Sequence, residues 1–166
     1  VSYEYEPCDI LKAREMVISR KRKYVKAEGE DFKSIVTGIM QQKGSIHMNI
    51  GVPLTSDEIA AAAICDMNDR YQLIRHAVDQ RVIDGYKLWK NNYIAYDIAN
   101  HSFRYSDQYD QSDVEKFVSY MEHQLDTVEP GINREDLRRI FLDIYANPVV
   151  TKELLIKEKT TGAILI

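Results

Sequence analysis

In the second half of this chain the apolar residues recur three or four apart, a period that confines it to helices. Ile59, Ala63, Met67, Tyr71, Ile74, Val78 and Val82 share one helical face, opened by the capping box Thr55-Ser56-Asp57-Glu58 and stopped at Asp84-Gly85. The spacing predicts a single helix of about seven turns. Ser112-x-x-Glu115 reads as another capping box, followed by Val114, Phe117, Val118, Met121, Leu125 and Val128 up to Pro130-Gly131. Leu137, Ile140, Phe141, Ile144 and Tyr145 follow the cap Asn133, and Asn147-Pro148 reads as a cap and first-turn proline opening a last helix through Leu154 and Leu155. Residues 87–109 hold Trp89, Tyr93, Tyr96, Phe103, Tyr105 and Tyr109, and their secondary structure is left unassigned.

The first third differs. Val1, Tyr3 and Tyr5 alternate with Ser2, Glu4 and Glu6 before Pro7, and Ile46, Met48, Ile50 and Val52 alternate with His47, Asn49 and Gly51 before Pro53. Both are the period-two pattern of a strand. Between them, Ile10, Ala13, Val17 and Ile18 suit a helix over residues 9–24, N-capped by Asp9 and stopped by Gly29. Phe32, Ile35, Val36, Ile39 and Met40 mark a second short helix closed by Lys43-Gly44. The expected fold class is α+β, predominantly helical, with two short strands in the first third, a helical second half and five to seven helices. Seven Gly and four Pro leave little material for a linker, so one core is expected.

Composition excludes several classes. With 45% hydrophobic and 29% charged residues among 166, the chain is a globular domain rather than a disordered tail or a disulfide miniprotein. Its longest apolar stretch, residues 59–65, is far short of the roughly 20 needed to span a bilayer, and no secretory leader opens it. A cytoplasmic location is expected, peripheral to the inner membrane at most. Cys8 and Cys65 form no CxxC pair and have no His at metal-ligand spacing, so free thiols and no metal are expected. The net charge of −4 argues against nucleic acid as a partner. No dinucleotide, Walker, nucleophile-elbow or zincin motif occurs, and no cofactor is expected. None of His47, His76, His101 or His123 has a telling partner in sequence, and Asp107/Asp110 and Glu135/Asp136 read as surface or helix-start charges. No catalytic residue can be named.

Charge is unevenly spread: residues 1–26 carry seven Lys/Arg against four Asp/Glu, while residues 97–129 carry two against eight. The run Arg20, Lys21, Arg22, Lys23, with Lys26 close behind, admits two readings. It can meet an anionic surface or phosphate, where each cation contributes about 1 kcal/mol. It can equally be a solvated helix end that complements the helix dipole.

Two segments, Ser2-Tyr3-Glu4-Tyr5-Glu6-Pro7-Cys8-Asp9 and Gly44-Ser45-Ile46-His47-Met48-Asn49-Ile50-Gly51-Val52-Pro53-Leu54, together resemble the downstream half of bacterial glycerolipid acyltransferases, which acylate lysophosphatidic acid. A third, Asp84-Gly85-Tyr86-Lys87-Leu88-Trp89-Lys90-Asn91-Asn92-Tyr93-Ile94-Ala95-Tyr96-Asp97, looks like a segment of one bacterial branch of such proteins. The family's catalytic His-x4-Asp is absent: the fifth residue after His47, His76, His101 and His123 is Val52, Arg81, Ser106 and Val128. Its Phe-Pro-Glu-Gly motif is absent too.

The resemblance therefore implies a C-terminal piece of an α/β acyltransferase of phospholipid biosynthesis that does not catalyse alone. Residues 1–54 would be the strand-helix-helix-strand part of the acyltransferase domain, and residues 55–166 a helical extension packed on it as one unit. The acyl thioester donor and the glycerophosphate-type acceptor would be bound by the missing N-terminal part. The opening strand should then lack a sheet neighbour. An isolated piece would bury that edge, with the apolar residues 163–166, by forming a homodimer. The alternative is a noncatalytic helical protein-interaction module.

Overall fold

The computed structural model describes residues 1–162; the apolar residues 163–166 lie outside the described residues. The elements run β1 (Ser2–Tyr3), α1 (Asp9–Lys21), α2 (Glu30–Met40), β2 (Ile46–His47), α3 (Ser56–Ala63), α4 (Met67–Gly85), α5 (Lys90–Ala99), α6 (Gln111–Asp126) and α7 (Arg134–Gly162). Among the described residues, seven helices and two short antiparallel strands make the fold predominantly helical α+β, as the periodicity indicates. The opening strand does have a sheet neighbour, contrary to expectation. β1 pairs with β2, and Glu4 N–H to Ser45 O (2.9 Å) and Tyr5 N–H to Lys43 O (3.0 Å) extend the ribbon.

The chain forms two compact units: residues 2–46 with 88–150, and Val1 with residues 47–87 and 151–162. The larger unit holds the hydrophobic core. Ile10, Ala13 and Val17 of α1 meet Ile94 of α5, Phe117, Met121 and Leu125 of α6, and Leu137, Ile140, Phe141 and Tyr145 of α7. Phe117 stands edge-on to Tyr145 at 5.1 Å between ring centroids. The α6 residues are spaced four apart, so the sequence pattern delivers them to one face. Asn92 closes the start of α5 by accepting from Trp89 N–H (2.7 Å) and donating to Tyr145 O (2.8 Å), and Asn91 donates to Glu4 O (2.7 Å). The residues 87–109 left unassigned by period thus include a helix.

The smaller unit is built by polar clasps. The Thr55 box forms as expected: Glu58 N–H donates to Thr55 Oγ1 (3.2 Å), and Thr55 N–H to Glu58 Oε2 (2.7 Å). Arg81 then donates to both Glu58 oxygens (2.9 and 2.7 Å) and to Val52 O (3.1 Å). Lys152 donates to Tyr86 O (2.7 Å) and Lys159 pairs with Asp84. Ala62 and Leu155 are the buried apolar side chains among its described residues. Gly85 ends α4 against Asn49, whose Nδ2 would lie 2.0 Å from any Cβ added there.

Several expected boundaries move. The seven-turn helix is two, because Asp66 starts α4 by accepting from Asp69 N–H (3.0 Å). Arg70 draws together the carbonyls at and just past the end of α3, donating to Ala62 O (3.3 Å), Ala63 O (2.8 Å) and Cys65 O (3.3 Å). Conversely, α7 runs through Pro148 without a break, although Pro148 has no N–H to offer the carbonyl of Ile144. Helix α6 is capped by Asp110 and Asp113, each accepting the other's N–H at 3.0 Å, rather than by Ser112 and Glu115. Gly29, at φ 77°, precedes α2 instead of stopping α1, which ends at Lys21. Beyond Ile46–His47 the alternating segment forms no ladder among the described residues, and Met48, Ile50 and Val52 are exposed, Ile50 at 91%.

Candidate anionic-surface site and the buried carboxylates

Arg20 and Lys21 close the last turn of α1, Arg22 caps it by donating its N–H to Ile18 O (3.1 Å), and Lys23 follows in extended chain. All four side chains are exposed, and none forms an ion pair among the described residues. Lys26 is different. Its ammonium donates to Asp31 at 2.5 Å, which raises its pKa and ties the loop to the first turn of α2. The loop is pinned further by Tyr24, whose hydroxyl bonds Glu30, and by Ala27 N–H donating to Glu30 Oε2 (2.8 Å). Those two donors hold the Glu30 carboxyl below its ordinary range. Arg14 steadies Tyr24 at 3.2 Å while gripping Glu129 with both Nε and Nη2 (2.8 and 2.5 Å).

Helix α2 lies the unexpected way round. Its small and polar residues Ser34, Thr37 and Gly38, with Gln41 just beyond, are the half-buried ones, whereas Phe32, Ile35, Val36, Ile39 and Met40 are exposed. The inward side is fixed by specific contacts. Cys8 Sγ donates to Ser34 O (3.2 Å), Cys8 N–H donates to Gln41 Oε1 (2.9 Å), and a Cβ at Gly38 would touch Cys8 Sγ at 3.4 Å. Cys8, at φ 60°, takes the N-cap position of α1 that Asp9 was expected to hold.

Asp9 is drawn inside, 0% exposed. Its Oδ2 accepts from the hydroxyls of Tyr120 and Tyr145, both at 2.7 Å, and its Oδ1 from Ile10 N–H (2.7 Å) and Gln41 Nε2 (3.2 Å). Among the described residues no ion pair joins it, and these dipoles and the start of α1 carry the compensation that burial demands. Burial, and then the Asp9 charge, push the Tyr145 and Tyr120 hydroxyls well above the ordinary phenol range. With its lone pairs occupied, Asp9 fastens the β1–α1 junction and presents no free oxygen to a substrate.

Asp97, 3% exposed, organises the loop after α5 in the same way. It accepts from Ser102 Oγ (2.5 Å), Arg104 N–H (2.9 Å), Tyr105 N–H (2.9 Å) and Tyr109 Oη (2.8 Å). Burial acts to raise its pKa, but the four donors outweigh burial and the carboxyl titrates below its ordinary range. Burial and then the Asp97 carboxylate push Tyr109 up to about 12. The loop borders a cleft of about 1100 Å³ walled by Ile94, Ile98, Val114 and Leu142, with Arg138 and Arg139 at its rim. Both arginines are engaged, with Glu122 (3.1 Å) and Asp136 (3.2 Å). The aromatic stretch packs on itself, Tyr105 lying 5.1 Å from both Tyr93 and Tyr96 with Arg104 over its ring at 5.2 Å.

The remaining sequence candidates are dispersed. His47 contacts Gly85 O (3.1 Å), His76 contacts Gln80 (2.8 Å), and Asp110 caps a helix. Among the described residues no group of three or more His, Cys, Asp or Glu could hold a metal, and no helix is long and apolar enough to cross a membrane. Among the described residues Arg20, Lys21, Arg22 and Lys23 thus form no ion pair, whereas Lys26 pairs with Asp31. Sequence reasoning missed both carboxylate hubs. Their signal was an acid flanked by apolar residues, Asp9 before Ile10-Leu11 and Asp97 between Tyr96 and Ile98. No protein-family model matches this chain, and neither does a curated protein or a solved structure.

Proposed function

We propose that this chain is the noncatalytic C-terminal part of a membrane-peripheral acyltransferase of the glycerolipid type, serving to complete its sheet and to carry a helical extension. One observation carries the reading. Residues 48–52 keep the alternation of a strand, yet Met48, Ile50 and Val52 face solvent and only Ile46–His47 is paired. A period-two apolar segment is specified wherever a sheet buries one of its faces, and this one lies inside the second segment of resemblance. Transfer of an acyl chain from a thioester to a glycerophosphate-type acceptor would then take place on residues outside this sequence.

The apolar stripe Met67, Tyr71, Val78 and Val82, exposed on α4, favours the second reading, a noncatalytic protein-interaction module. The intact mass and N-terminal sequence of the native gene product separate the two. A product much longer than 166 residues with His-x4-Asp upstream of Val1 is expected. A native product starting at Val1 would overturn the acyltransferase reading and leave the module.

A further inference from the structure

We infer that the outward face of α2, together with the basic run Arg20 to Lys23, is a docking surface for an anionic lipid bilayer. The inference rests on the larger unit alone and does not depend on the acyltransferase reading. Phe32, Ile35, Val36, Ile39 and Met40 stand at i, i+3, i+4, i+7 and i+8, a complete apolar face, and all five are exposed, Phe32 at 72% and Met40 at 78%. No residue of α2 is buried, because the helix is held by its small and polar side. The usual reason for an apolar helical face, packing on the chain's own core, does not apply here.

Charge selects the occupant. Between residues 20 and 43 there are seven basic and three acidic side chains. Two of the acids are engaged locally, Glu30 with Tyr24 and Ala27, and Asp31 with Lys26, so Arg20, Lys21, Arg22 and Lys23 face only Glu28 as a nearby acid in sequence and keep a net positive charge. The contacts of Tyr24, Lys26 and Ala27 with the first turn of α2 keep that run close to the apolar face. An amphipathic helix with an apolar face and adjoining cations lies in the headgroup boundary of an anionic membrane, its apolar side reaching about 5–10 Å inward. An apolar protein groove would cover the helix but leave the four cations without counter-charge.

The test is cosedimentation of the 166-residue chain with vesicles of phosphatidylcholine alone and of phosphatidylcholine mixed with phosphatidylglycerol. Binding to the mixed vesicles alone, weakened by salt, is expected. Replacing Arg20, Lys21, Arg22 and Lys23 together by Gln should lower that binding on the order of a thousandfold. Phe32→Asp with Ile39→Asp should abolish it while the circular dichroism stays unchanged, since both side chains are already in water. Phe103→Asp, at an 85% exposed site on another loop, should change nothing. Equal binding to both vesicle types, binding lost equally with Phe103→Asp, or no binding to either would overturn the proposal. So would inorganic phosphate competing the chain off the vesicles at low millimolar concentration, or α2 variants that dissolve a dimer without altering lipid binding.

Discussion

The two compact units reach order by different means. The larger buries aromatic and aliphatic side chains from four helices around Tyr145, and satisfies each of its buried carboxylates with four donors. The smaller ties α3 to α4 through Arg81 and the end of α4 to the last part of α7 through Lys152, and leaves Ile50, Ile64, Met67 and Val82 in solvent. Apolar burial is the main favourable term in folding. The larger unit thus has the means to stand alone, while the smaller leaves most of its large apolar side chains in water.

The sharpest way to break that contrast is to cut one large apolar side chain back to alanine in each unit. Phe141→Ala in the larger should cost about 3–5 kcal/mol by urea denaturation, through lost transfer and a cavity. Ile50→Ala in the smaller should stay within about 0.5 kcal/mol. A comparable loss from Ile50→Ala would show that segment to be buried. Tyr145→Phe removes one of the two hydroxyls on Asp9 and should cost about 1–3 kcal/mol, because a buried carboxylate loses a donor no water replaces. Asp66→Ala, which removes only the cap of α4, should cost about 1 kcal/mol or less and be read in helicity rather than in the main unfolding transition.

Titration sharpens the same comparison at smaller amplitude. The folded pKa of Asp97 lies below its unfolded value of about 3.9, so its contribution to stability is present above that pH and is lost as pH falls through the folded value. Acid unfolding followed by Tyr fluorescence should be less steep in Asp97→Asn, although that variant starts less stable at neutral pH. Tyr109 has the opposite sign. Its folded pKa, pushed up to about 12, gives a contribution present below about pH 10 and lost as pH rises toward 12. Tyr109→Phe should remove that alkaline loss, measured by phenolate absorbance against denaturation midpoint.

Much of the larger unit was legible because its rules are local or periodic. The Asn133 cap forms, with Asp136 N–H donating to Asn133 Oδ1 at 2.8 Å, and Phe117, Met121 and Leu125 are buried as their spacing requires. Periodicity failed where it is blind. The interval from Ala63 to Met67 keeps helical spacing across a real break, and only the Asp66-x-x-Asp69 cap signalled the restart. At Pro148, core contacts of Tyr145 and Val149 on either side carry the helix past a residue that locally argues for an end. Period also identifies an apolar face without saying which way it looks, so the outward turn of α2 became visible only with Cys8, Gly38 and Gln41 in place. Asp9 reads as a cap by type and position; that it sits inside follows from Tyr120 and Tyr145, more than a hundred residues away in sequence. The four cations of the candidate docking surface were legible, whereas their separation from Lys26 required Asp31 to be seen beside it.

Native-state hydrogen exchange on the 166-residue chain tests the division between the units most directly. Amides of α5, α6 and the first half of α7 should exchange only through global unfolding, and those of α3 and α4 through a much smaller opening that leaves the larger unit folded. Equal protection in α4 and α6, lost together in a single transition, would contradict a self-sufficient larger unit and a smaller one of lower stability.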